Sequence, residues 1–63
     1  MSAEDSVLKL IEKHKRSEES MVKAVEVLEG RVHTAAAKLL LTELRLDSTK
    51  HARICEEILK TTE

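Results

Sequence analysis

The sequence predicts an all-α protein, an antiparallel two-helix hairpin that dimerises into a four-helix bundle. Three observations carry that expectation. Apolar residues recur at steps of three and four through both halves of the chain, the period of one helix face. There is no proline, and the single glycine, Gly30, lies near the midpoint. The whole chain has 63 residues, too few to bury a comfortable core, so a disulfide, a metal or a partner chain is needed. A single domain over residues 1–63 then consists of a helix at 3–29, a turn at 30–33 and a helix at 34–60.

The first helix opens on Ser2, with Asp5 three residues later and Glu4 and Asp5 in the first turn. That resembles a capping box, and the acids suit the positive end of the helix dipole. Gly30 suits the left-handed residue that ends many helices. Thr34 is the N-cap expected for the second helix, because Ala35, Ala36 and Ala37 follow it, and Lys60 suits its last turn. At 1.5 Å per residue each helix is roughly 40 Å long.

In a seven-residue repeat the seam of helix one reads Glu4, Val7, Ile11, His14, Glu18, Met21, Val25, Leu28. That of helix two reads His33, Ala37, Leu40, Leu44, Asp47, His51, Ile54, Ile58. The apolar stripe is wider than a two-stranded seam. Leu8, Leu10, Val22 and Ala24 flank the first, and Leu41, Cys55 and Leu59 flank the second. A stripe of that width suits helices with more than one neighbour. Glu12–Arg16, Glu19–Lys23 and Glu56–Lys60 are acid-before-base pairs at i,i+4 and read as solvated faces.

Composition removes several function classes. Eleven basic and twelve acidic residues are interspersed, for a net charge of −1, which gives no basic face for nucleic acid. The chain has no Phe, Tyr or Trp, so base-stacking platforms and aromatic cages are absent. No segment approaches the roughly 20 apolar residues of a membrane span. Cys55 is the only cysteine, which excludes an intrachain disulfide. With no signal peptide in view, this suggests a reducing, cytoplasmic setting. Cys55 reads as a buried structural thiol and His33 as a turn residue. No nucleophile triad, phosphate-binding glycine loop or CxxC pair is present.

Each seam is interrupted by one central polar pair, His14 and Glu18 in the first helix, Asp47 and His51 in the second. A hairpin with its midpoint near residue 32 sets the two pairs at one height, with Ser17 and Ser48 beside them. Buried carboxylates and imidazoles are costly unless paired or bound to a metal. His14, Glu18, Asp47 and His51 are therefore the candidate metal ligands, and a two-fold dimer would double them. Oxygen and imidazole donors suit iron(II), manganese or zinc more than copper(I). Glu19 and Glu43, one step off the seam, are further ligand candidates. The same layer also reads as metal-free His–carboxylate pairing that fixes register in a dimerisation or adaptor module. A third reading is a misplaced seam, with both pairs facing solvent.

The pattern His14-x-x-x-Glu18-Glu19, then Lys38-Leu39-Leu40-Leu41, then Leu46-Asp47-Ser48-Thr49-Lys50-His51-Ala52, resembles half of a ferritin-like, rubrerythrin-type bundle. Members carry a metal-ligating Glu on one helix and a Glu-x-x-His pair on the next, repeated in a second half. The resemblance implies a ferritin-like fold in which Glu18 is the lone Glu and His51 the motif His. Ser48 stands where the pattern has its second Glu, and Asp47, one residue earlier, is the nearest carboxylate. Were the chain catalytic, the resemblance would imply oxidation chemistry at iron or manganese; no substrate pocket is legible. The expectation is a soluble homodimer with a divalent metal in the bundle interior. A larger helical partner that completes the bundle is the other way to cover the stripe.

Overall fold

The computed structural model describes residues 2–61; Met1, Thr62 and Glu63 lie outside it. Two helices, α1 (Ala3–Glu29) and α2 (Ala35–Thr61), pack against each other as an antiparallel hairpin. Among the described residues there is no strand. The hairpin measures 49 × 16 × 13 Å. No helix among the described residues is long and apolar enough to cross a membrane.

Both N-caps form as the sequence implies. The Ser2 hydroxyl accepts the Asp5 amide at 3.1 Å, and Thr34 Oγ1 accepts the Ala37 amide at 3.2 Å. Each satisfies a backbone N–H that the helix itself leaves unpaired. The ion pairs Glu12–Arg16 and Glu56–Lys60 are present at 3.8 and 3.7 Å on exposed surfaces. Among the described residues Glu19 and Lys23 form no ion pair with each other.

Gly30 does not adopt the left-handed conformation expected of it. Its φ of −74° and ψ of −12° are right-handed helical values, and no described residue has positive φ. The helical path runs on past the glycine, with the Val32 amide donating to the Leu28 carbonyl at 3.1 Å. That extra turn changes the register of the hairpin. Glu18 faces His51, so the centre of the pairing falls between Thr34 and Ala35, about two residues later than expected. Opposed levels then slip by about four residues, or roughly 6 Å along α2.

The helices are also rotated relative to the expected seam. The contact row of α1 runs Leu8, Ile11, Lys15, Glu18, Val22, Val25, Glu29, and that of α2 runs Ala37, Leu41, Arg45, Ser48, Ala52, Cys55, Leu59. Helix one keeps Ile11, Glu18 and Val25 from the expected seam; helix two keeps only Ala37. Residues assigned to the flanks, Leu8, Val22, Leu41, Cys55 and Leu59, make the interface instead. The physical reason lies in side-chain size. Ala37, Ser48, Ala52 and Cys55 let the backbones approach, whereas Leu40, Leu44, Ile54 and Ile58 are bulkier. The stripe is wide enough to serve two neighbours, and the hairpin uses its small-residue half.

The result is a thin core. Among the described residues only Val25, at 3% exposure, and Cys55, at 8%, are buried apolar side chains, and Ser48 is buried beside them. Eleven large apolar residues are exposed, which sets the terms for any function.

Candidate functional site

The displaced seams of the two helices come out on the same side of the hairpin. Val7, Leu10, His14, Met21 and Leu28 step along α1 by three, four or seven, one row away from its contact face. Leu40, Leu44, Asp47, His51, Ile54 and Ile58 do the same on α2. Because the helices are antiparallel, an equal rotation of each brings both rows to one side. A shallow depression of about 340 Å³ on that side is lined by His14, Glu18, His51, Ile54 and Cys55. Across the hairpin the other side carries Lys15, Glu19, Lys23, Glu26, Arg53 and Glu56 around a second groove. The molecule as a whole is amphipathic, with one apolar and one charged face.

At the centre of the apolar face sits a three-residue polar cluster. Glu18 Oε1 stands 3.5 Å from His14 Nε2, one turn before it on α1. Glu18 Oε2 stands 3.5 Å from His51 Nδ1 on α2. Both separations are ion-pair distances when the imidazole is protonated and are long for hydrogen bonds. The Glu18 side chain is 18% exposed, against 60% for His14 and 52% for His51. Glu18 Oε2 is itself buried and has no hydrogen-bond partner. A buried oxygen left so costs about 1–3 kcal/mol.

Three of the four expected ligand residues are thus brought together. Asp47 is not: it is exposed, joined to the cluster by no hydrogen bond or ion pair among the described residues, and lies about one turn from the level of Glu18 because of the register slip. Ser48 turns into the helix interface, and Ser17 remains exposed. The imidazoles flank the carboxylate at different oxygens and do not converge on one point. Among the described residues no group of three or more His, Cys, Asp or Glu side chains forms a metal-binding cluster within one hairpin.

One interaction had no expectation attached to it. Arg45 Nε donates to Glu29 Oε1 at 2.7 Å, with both side chains about two-thirds buried or more. It closes the turn end of the hairpin by joining the last residue of α1 to the contact row of α2. The signal for it in the sequence is Arg45 itself, a charge within the Leu41–Ser48–Ala52–Cys55–Leu59 row, which only the true contact face makes visible. Cys55 is a free, buried thiol, as its place beside the apolar stripe suggested.

No protein-family model matches the chain, and neither a curated protein nor a solved structure matches it.

Proposed function

We propose that this chain is a helical association module, whose work is to present one apolar face that further helices cover. A single observation carries the reading: the face of Val7, Met21, Leu28, Leu40, Leu44, Ile54 and Ile58 is open to solvent while the hairpin's own core holds little more than Val25 and Cys55. Monomeric soluble proteins rarely expose contiguous apolar patches of this kind, and large ones mark interaction surfaces. Two helices with so thin a core fall below the size at which a lone domain is comfortably stable. Association supplies the missing burial. In this reading the His14–Glu18–His51 cluster is a polar layer inside an otherwise apolar contact, and it selects register and partner, as buried polar residues do in coiled coils.

The test is hydrodynamic. Sedimentation of the purified full chain should give an assembled, helical species. A well-folded monomer that persists at high protein concentration would remove the need for a covering partner and end this reading.

A second reading is favoured by the unpartnered Glu18 oxygen. A divalent ion (iron, manganese or zinc) at the cluster would satisfy it, with His14 and His51 as further donors. The ferritin-like resemblance points the same way, with Glu18 and His51 at its ligand positions. Metal analysis of the purified protein, with melting before and after chelation, separates this reading from the metal-free one. Equal melting, together with metal content that His51→Ala leaves unchanged, would exclude the ion.

A further inference from the structure

We propose that the occupant of the apolar face is a second copy of this chain, related by a two-fold axis lying between the two faces, so that both His14–Glu18–His51 clusters meet in one central layer. The proposal rests on the association reading above and adds the partner and what it contributes.

The first support is self-complementarity. A closed dimer uses the same patch twice, so the patch must match itself under a two-fold rotation. Arg16 is the middle residue of α1 and Ser48 the middle residue of α2. His14 and Glu18 bracket the first, and His51 lies three residues past the second. The polar cluster therefore lies at mid-length, with apolar residues towards both ends: Val7, Leu10 and Ile58 on one side, Leu28, Leu40 and Leu44 on the other. Rotation about an axis through the middle, along or across the helices, lays polar on polar and apolar on apolar. A cluster near one end would match itself in only one of those two arrangements.

Area and charge agree. The hairpin's broad side spans at most 49 by 16 Å, a silhouette of about 800 Å², so a second copy covering all of it would reach the roughly 800 Å² per partner of a standard stable interface. Neither apolar row contains Lys or Arg, and their ionisable residues are His14, His51 and Asp47, so imidazoles and carboxylates meet in the pair.

The second copy also covers what one hairpin leaves open. His14 and His51 each keep more than half of their side-chain surface exposed, and in the pair the four imidazoles meet in one central layer.

The experiment is light scattering and circular dichroism on the full chain, with Leu44→Asp and Ile54→Asp on the proposed face and Leu39→Asp, exposed on another side of α2, as the control. The expected result is a helical species of two chains. Leu44→Asp and Ile54→Asp should each weaken it by about 30-fold or more, as for residues at the centre of an interface, and Leu39→Asp should leave it within about 3-fold, as expected of a surface change outside the contact. A dimer that survives both face variants overturns the proposal, because the contact then lies elsewhere. A wild-type monomer that is largely unfolded overturns the second copy and leaves the association reading standing, with a different helical partner. A fully helical wild-type monomer overturns both.

Discussion

Glu18 and His51 meet across the hairpin, the carboxylate Oε2 standing 3.5 Å from the imidazole Nδ1 with no hydrogen bond between them. This contact shows the register of α1 on α2 and lies at the boundary between the inner contact row and the outer apolar face. Glu18 belongs to the first and His51 to the second. A buried carboxylate oxygen with no hydrogen-bond partner among the described residues costs stability, which makes its replacement informative.

Glu18→Leu should stabilise the assembled protein by about 1 kcal/mol or more, since apolar replacements of poorly compensated buried charges are often neutral or stabilising. Urea unfolding at fixed protein concentration measures it. A loss of similar size would mean that the carboxylate is held firmly, by protonated imidazoles or by an ion.

The Arg45–Glu29 bond joins partly buried groups at 2.7 Å, so it should exceed an exposed surface pair without reaching the value of a fully buried one. Arg45→Ala is expected to cost about 1–2 kcal/mol, and a double-mutant cycle with Glu29→Ala should return a coupling near 1 kcal/mol. A coupling near zero would reduce the bond to an incidental contact.

Gly30→Ala should raise stability by about 0.5 kcal/mol. Its φ is already right-handed, a methyl there would meet the Val27 carbonyl at an ordinary 3.6 Å, and alanine narrows the unfolded ensemble. A left-handed glycine would give the opposite sign, so the substitution reads the turn directly by thermal melting.

Thr34→Ala removes the hydroxyl that accepts the Ala37 amide and should cost about 1 kcal/mol. Ser2→Ala removes the equivalent bond to Asp5 and should cost a similar amount. Helix content and urea midpoints for the two variants give the comparison.

The helices were legible in the sequence almost to the residue, because caps and periodicity are local properties. Helix one runs over 3–29 as expected, and helix two begins at Ala35, with Thr34 outside as its cap. The rotation of the helices was not legible. Leu40 and Leu41 are neighbours on one wide stripe and hydrophobicity cannot choose between them, whereas at Ile54 and Cys55 it gives the larger residue to the core. Side-chain size reverses that choice at this level, because Ala52 and Cys55 fit between packed helices more easily than the bulkier Ile54.

The polar layer was legible in part for the same reason. His14 and Glu18 share one helix and stay one turn apart whatever the packing, and His51 reaches them because its row borders the contact face. Asp47 depended on the hairpin midpoint, and the helical turn through Gly30 to Val32 moved that midpoint. Arg45 was missed because its row was taken for a flank.

The central claim is that this hairpin owes its stability to a covering partner on the face of Leu40, Leu44, Ile54 and Ile58. Thermal unfolding of the full chain by circular dichroism, over about a hundredfold range of protein concentration, tests it most directly, since association makes the midpoint depend on concentration. The account predicts a midpoint that rises steadily with concentration. A midpoint that stays constant across the range, with full helix content at the lowest concentration, would contradict it.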